Sequence, residues 1–231
     1  MARGGCICVS AIDESIQMGP ASAAETSVPA WSYRRALKRA FDVGVSATIL
    51  LITLPALIIV SLLVRRSLGA GVLYTQRRVG QGGEPFRIYK FRTMHHDRRQ
   101  RQMNIPGGVD RRTSHKSHED PRHTNLGRTL RRFSIDELPQ LVNVVRGEMS
   151  LVGPRPEIFD VAQKRGYVEH PRHRVRPGMT GPYQVSELRS NGDLRSGFEL
   201  DTKYVEEVTF RSDLRYLMQT VAVMAGGSGE V

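Results

Sequence analysis

The chain has 231 residues, a length for one domain or two and enough to bury an ordinary core. Its 34 Lys and Arg against 23 Asp and Glu leave a net charge of +11, which selects anionic partners: nucleic acid, an anionic membrane face or phosphorylated ligands. With 25% charged and 39% hydrophobic residues the composition excludes a fully disordered chain and a polytopic membrane protein, and 2 cysteines exclude a disulfide framework.

Residues 1–30 carry no apolar periodicity and are rich in Ala, Gly and Ser, so they read as a disordered leader. They lack the basic start and apolar block of a secretory signal, and the Cys6-x-Cys8 pair reads as incidental. Next comes Val43 to Val64, VGVSATILLITLPALIIVSLLV, 22 residues without a charge. A straight helix of that length reaches about 33 Å, enough to cross a bilayer core of about 30 Å. Two features favour a re-entrant hairpin that enters and leaves by one face. Pro55 lies inside the run, where it removes a backbone donor and kinks the helix. The flanks are balanced, with Arg34, Arg35, Lys38 and Arg39 before the run and Arg65, Arg66, Arg77 and Arg78 after it, whereas the positive-inside rule needs an asymmetry. The leg before Pro55 would reach roughly 18 Å deep. The carbonyl freed at the bend needs a donor, for which Ser46, Thr48 and Thr53 are candidates. A plain transmembrane helix is the alternative.

Val72 to Gln76 and Phe86 to Phe91 read as the strands of a short β-hairpin. Gly80-Gln81-Gly82-Gly83 between them reads as a turn, because a phosphate loop would end in Gly-Lys-Ser/Thr. In the basic stretch 95–125, His115-x-x-His118 with Asp120 has zinc-ligand types, but the surroundings read as a solvated loop. Leu138, Leu141, Val142 and Val145 follow i, i+3, i+4, i+7, one apolar helical face. A last helix is expected from about Leu214 to Met224, and residues 226–231 as a flexible tail. The domain plan is a leader at 1–30, a membrane-associated hairpin at 31–66, a globular domain at 67–225 and the tail.

Ser134-Ile135-Asp136-Glu137 opens the amphipathic helix, and one reading is a capping box in which Ser134 and Glu137 satisfy each other's amides. That reading does not require Asp136. Arg128, Arg131 and Arg132 lie just upstream, so the other reading is a site where adjacent carboxylates hold a divalent cation or attack phosphorus while arginines hold phosphate oxygens. In Pro154-Arg155-Pro156 two prolines fix φ around one arginine, whose planar fork suits phosphate; a solvated loop arginine is the plainer alternative. Lys90, one of few lysines, lies on an expected strand, with a snorkelling surface role as its default. Arg176-Pro177-Gly178-Met179-Thr180-Gly181 offers free amides and an arginine for an anion, or simply a turn.

The run Ser134-Ile135-Asp136-Glu137-Leu138-Pro139-Gln140-Leu141, with Asn143-Val144 and Gly147-Glu148-Met149-Ser150-Leu151-Val152-Gly153-Pro154-Arg155-Pro156, resembles the bacterial sugar transferases, monotopic polyprenyl-phosphate phosphoglycosyl transferases. Lys38-Arg39-Ala40-Phe41-Asp42, Tyr89-Lys90-Phe91-Arg92-Thr93-Met94, Asp120-Pro121-Arg122, Arg174 through Gly181, Gln184-Val185, Asp201 and Tyr204 fit the same pattern, which covers about residues 33–224. The resemblance implies transfer of a sugar 1-phosphate from a UDP-sugar to undecaprenyl phosphate with release of UMP, initiating surface polysaccharide synthesis. By it, Asp136 is the nucleophile that becomes phosphoglycosylated, and Glu137 assists it and shares a Mg²⁺ site with it. Lys90, Arg131, Arg155, Arg176 and Gln184 bind substrate. Lys38 and Arg39 mark the membrane boundary and Pro55 the hairpin break, on the cytoplasmic face of a bacterial inner membrane. One departure is Leu54-Pro55, where the family often has Ser-Pro; Thr53 is the substitute hydroxyl.

The expected fold is α+β and mostly helical: a re-entrant membrane hairpin, amphipathic interfacial helices and a small β-hairpin. Expected partners are the UDP-sugar, undecaprenyl phosphate and inner-membrane lipid, with a homo-oligomer left open. A membrane-tethered nucleic-acid-binding protein is a competing reading of the charge, but aromatics are only 6%, so stacking platforms are scarce and no nucleic-acid partner is expected. A UDP-releasing glycosyltransferase is a third reading, weakened by the lack of a separate nucleotide-binding βαβ unit.

Overall fold

A computed structural model describes residues 36–95, 124–186 and 194–225. The expectations for the leader, for His115, His118 and Asp120, and for the tail lie outside the described residues.

Helix α1 (Lys38–Leu68, 31 residues) contains the whole apolar run, Pro55 included, as one helical element. Its basic last turn, Arg65 and Arg66, suits the negative end of a helix, and Gly69 at φ 76° closes it by donating to the Arg65 carbonyl. The first turns are tethered to the rest of the fold. Lys38 pairs with Asp213 at 2.5 Å, Arg39 donates to the Val144 and Val145 carbonyls, and Asp42 accepts from the Leu151 amide at 3.3 Å. Phe41, Val45, Ile49 and Leu50 continue the helix onto the core. Beyond them protein cover lapses, with Leu51 74% and Ile52 72% exposed, and returns at Val64. The helix is long and apolar enough to cross a membrane.

The expected donors at the proline bend are engaged elsewhere. Pro55 deprives the Leu51 carbonyl of its helical amide. Thr48 bonds the Gly44 carbonyl, Thr53 bonds the Ile49 carbonyl, and the buried Ser46 hydroxyl has no partner. Hydroxyls in helices reach the carbonyl four residues back, which places Thr53 two residues too early for Leu51.

Strands β1 (Leu73–Val79) and β2 (Pro85–Phe91) form the expected antiparallel hairpin, with β1 running further than the sequence suggested. A 3₁₀ turn at Gln81–Gly83 joins them, and both Gly82 and Gly83 have positive φ. Helix α2 (Asn125–Arg132) is capped by Thr124, which accepts from the Gly127 amide. A Cβ on Gly127 would lie 2.1 Å from the Thr93 carbonyl oxygen, so glycine lets α2 close on the segment after β2. Helix α3 (Gln140–Arg146) leads to β3 (Ser150–Val152), which pairs in parallel with β4 (Gly178–Thr180), a pairing the sequence did not suggest. Between them lie α4 (Phe159–Lys164) and a 3₁₀ turn at Pro171–Arg174. Then follow α5 (Pro182–Val185), α6 (Leu194–Glu206) and α7 (Phe210–Ala225), the last starting before the expected Leu214.

The core gathers Ile88, Leu141, Val144, Met149, Leu151, Val152, Tyr204 and Val208. The expected apolar face of α3 is shifted: Val144 is buried and Val145 exposed. Leu138 precedes α3, so the 3.6-residue phase does not run through from it. Tyr204 ties the layers together: its hydroxyl, with one proton to share, lies 2.6 Å from Asp213 Oδ1 and 3.1 Å from the Val152 carbonyl oxygen. Through Lys38 and Asp213, α1 is thereby joined to α6, α7 and β3. The architecture is mostly helical with two small sheets and one long apolar helix.

Candidate active site

The chain enters the site through a strained residue. Ser134 adopts φ 53° and ψ 21°, the only left-handed non-glycine among the described residues. Such conformations cost about 1–3 kcal/mol and cluster at functional sites. The turn reverses the chain between α2 and a 3₁₀ turn at Ile135–Glu137, where Asp136 is 8% exposed. No capping box forms, because the Ser134 side chain makes no cap bond and α3 begins only after Pro139. Glu137 instead faces β2 and accepts a hydrogen bond and ion pair from Lys90 Nζ. Lys90 is thus an engaged cation, not the snorkelling side chain its composition allowed.

Lys90 and Glu137 share a narrow cleft with Arg155, Arg78 and Gln140, floored by Ile88, Pro156, Gly178 and Met179. The alternation of β2 puts Ile88 and Lys90 on one face, so a core anchor and a site cation come from one strand. Asn143 holds that strand on α3: its carboxamide accepts from the Tyr89 amide at 3.2 Å and donates to the Arg87 carbonyl at 2.8 Å.

Arg155 is presented by a loop whose carbonyls are all engaged. Pro154 accepts from the Gly178 amide at 2.9 Å, Arg155 from Arg172 Nη2 at 2.9 Å, Pro156 from Arg78 Nη1 at 2.8 Å and Glu157 from the Val79 amide at 2.9 Å. Arg172 also pairs with Asp201 at 2.6 Å and Glu157 at 3.1 Å. Burial pushes the Asp201 carboxyl up to about 6 against the downward pull of Arg172, and burial lowers His173 to about 4.

Other expected residues fall elsewhere. Arg131, on α2, donates from Nε to Thr93 Oγ1 at 3.0 Å, which sets it beside the segment leaving β2. Arg176 donates to the Gly147 carbonyl at 2.8 Å and does not line the cleft, because its fork is held against the end of α3, where Arg39 also binds. Gln184 lies buried on α5, its amide atoms unpartnered, also outside the cleft lining. Arg78, Gln140 and Arg172 were not singled out from sequence; Gln140 lies inside the matched motif, but Arg78 and Arg172 carry no local signal.

The residues present fit a Mg²⁺ that arrives with a diphosphate. No group of three or more His, Cys, Asp or Glu suited to a metal occurs among the described residues. Magnesium commonly takes only one or two carboxylates and completes its shell with water and substrate phosphates. Asp136 and Glu137, on one turn, are the two carboxylates that would hold it.

This constellation is a cleft of acidic and basic side chains, and the sequence matches the family model described as bacterial sugar transferase over residues 33–227. The chain belongs to the bacterial sugar transferase family. It is 36% identical over 197 residues to the exopolysaccharide production protein ExoY of Sinorhizobium fredii, covering 83% of this chain and 87% of that protein. To the sugar transferase EpsL of Bacillus subtilis it is 38% identical over 185 residues, 80% of this chain and 85% of the relative. To the UDP-glucose:undecaprenyl-phosphate glucose-1-phosphate transferase of Escherichia coli it is 36% identical over 200 residues, 84% of this chain but 41% of that longer protein.

Proposed function

We propose that the protein moves a sugar 1-phosphate from a UDP-sugar to undecaprenyl phosphate at the membrane surface, releasing UMP, as an early step of surface polysaccharide synthesis. The observation that carries this reading is the convergence of Lys90, Glu137 and Arg155 on one cleft, with Asp136 adjacent, in a domain tethered to the start of an apolar helix. The names of the Escherichia coli and Sinorhizobium relatives support the substrates and the pathway class.

In the proposed reaction, a carboxylate oxygen of Asp136 attacks the phosphorus that bears the sugar. The P–O bond to the α-phosphate breaks, and its electron pair leaves with UMP. Asp136 is then joined to the sugar phosphate as an acyl phosphate. An oxygen of undecaprenyl phosphate attacks the same phosphorus, the bond to Asp136 breaks, and the carboxylate returns. The near-complete burial of Asp136 keeps water from hydrolysing the intermediate. Arg155 and Lys90 bind the phosphate oxygens, Lys90 passing from Glu137 to the incoming diphosphate. The chemistry a bound Mg²⁺ supplies is neutralisation of the diphosphate, and Asp136 and Glu137 are the residues that would hold it.

The same reading makes α1 a re-entrant element on the cytoplasmic face. Both of its ends are fastened to one domain: Arg39 and Asp42 at the start, and at the end Val64, which is fully buried, with Leu68, whose carbonyl Arg92 engages. Helix α7 supports the same placement. Phe210, Leu214, Met218 and Val221 form an exposed apolar stripe along it. Phe210 stacks edge-on against Phe41 at 5.4 Å, which joins the stripe to the start of α1 and supports a shared contact with the membrane surface.

Asp136→Asn tests the chemistry. It abolishes UMP release, and wild-type protein given labelled UDP-sugar without lipid acquires a covalent, base-labile label that the variant lacks. Wild-type turnover in Asp136→Asn contradicts the nucleophile. Topology is tested by impermeant thiol labelling of Ala36→Cys and Ser67→Cys in a background with Cys6→Ser and Cys8→Ser. Re-entry makes both sites reactive from the same side; a span makes them reactive from opposite sides.

A further inference from the structure

We propose that Arg172 is a positioning residue for Arg155, fixing the direction in which that guanidinium meets the donor phosphates; this rests on the role given to Arg155 above. Pro154 and Pro156 fix φ on both sides of Arg155. The remaining freedom lies in the peptide planes, and each carbonyl from Pro154 to Glu157 is held by a donor, from β4 on Pro154, from Arg172 on Arg155 and from β1 on Pro156 and Glu157. The donor on the carbonyl of Arg155 itself is Arg172 Nη2, at 2.9 Å. Its guanidinium cannot drift, because Asp201 binds the same Nη2, Glu157 binds Nη1, and the Phe198 ring centre lies 4.3 Å from the guanidinium carbon.

Stability alone accounts poorly for this arrangement. Arg172 and Asp201 side chains are each 1% exposed, and a buried ion pair of this kind adds little over an apolar pair of similar volume. The pair is also incomplete, since Arg172 Nε and Asp201 Oδ1 are buried without partners. What it provides is geometry. One planar fork reaches a carbonyl and two carboxylates at fixed angles, linking the Arg155 loop to α6. A lysine, with one point charge, cannot hold all three acceptors in that arrangement.

The test is a double-mutant cycle on the full-length protein in lipid nanodiscs, using Arg155→Ala, Arg172→Lys and the double variant. UMP release is measured with undecaprenyl phosphate and UDP-glucose or UDP-galactose, separating KM from kcat. UMP binding is measured by calorimetry and the melting midpoint is recorded. Displacing a binding group by about an ångström costs about 10- to 100-fold, so Arg172→Lys is expected to lose that much in kcat/KM, with a raised KM for the UDP-sugar and weaker UMP binding. In the Arg155→Ala background the same change is expected to cost nothing further. Losses that multiply in the double variant, or an Arg172→Lys protein that behaves as wild type, overturn the proposal while leaving Arg155 in the site. A wild-type rate and UMP affinity in Arg155→Ala remove Arg155 from the site, and the positioning role with it. Asp201→Asn, which keeps the shape of the partner, gives the same cycle if Arg172→Lys does not fold, and the same outcomes decide it.

Discussion

Replacing Asn143 with Leu tests how Lys90 is delivered to the cleft. Asn143 is fully buried, and its carboxamide stands where a third strand would lie beside β2. It accepts from the Tyr89 amide at 3.2 Å and donates to the Arg87 carbonyl at 2.8 Å and to Glu148 at 2.6 Å. Leucine is of similar size but leaves all three groups without this partner. Each buried unsatisfied polar group costs about 1–3 kcal/mol, so the two backbone groups alone give a loss of about 2–6 kcal/mol. In a chain of this length that lowers the melting midpoint by about 4–24 °C. Hydrogen exchange reports the same event locally, through faster exchange of the Tyr89 amide, and activity falls because Lys90 is the next residue. Asn143→Asp keeps the acceptor for Tyr89 but loses both donors, so it falls between wild type and Asn143→Leu in Tyr89 protection. An unchanged midpoint with a fully protected Tyr89 amide in Asn143→Leu would refute the reasoning.

Arg155→Ala removes charge-assisted bonds worth about 1.5–3 kcal/mol, so kcat/KM for the UDP-sugar is expected to fall about 10- to 100-fold, with a melting midpoint close to wild type. Asp201 and His173 make opposite contributions to acid stability. The folded Asp201 carboxyl, raised from 3.8 to about 6, holds a proton that the unfolded chain has released, so its contribution falls as pH rises from about 4 to 6. The folded His173, lowered from 6.5 to about 4, resists a proton that the unfolded chain takes up, so its contribution falls as pH drops through the same range. Each is worth about 3 kcal/mol, so they nearly cancel. Denaturant unfolding of Asp201→Asn should therefore weaken by about that amount from pH 6.5 to 4, where wild type changes little. Equal slopes for the two proteins would contradict the assignment of either group.

Local chemistry made much of this fold legible. The uncharged run as one long apolar helix, the glycine turn and the Phe86–Phe91 strand each follow from short-range rules, and they stand as α1, the 80–83 turn and β2, while the hairpin break expected at Pro55 is not seen in α1. The capping motif at Ser134 misled because Pro139 delays the helix and the chain needs a left-handed residue to turn. The parallel β3–β4 pair escaped because three-residue strands more than 20 positions apart carry no pattern of their own. In the site, Asp136, Glu137 and Arg155 stand out as residue types in unusual company. Arg172 does not: its importance comes from acceptors on Arg155, Glu157 and Asp201 that only the folded chain assembles. Arg176 shows the converse, an arginine in a suggestive motif that the fold ties to a carbonyl beyond the cleft.

The most direct test of the account is the nucleotide that the purified, membrane-embedded protein releases. With Mg²⁺, undecaprenyl phosphate and a panel of UDP-sugars, the account predicts UMP, formed continuously only when the lipid phosphate is present. Release of UDP instead would contradict it, because the sugar would then move without its phosphate and Asp136 would have no phosphorus to attack.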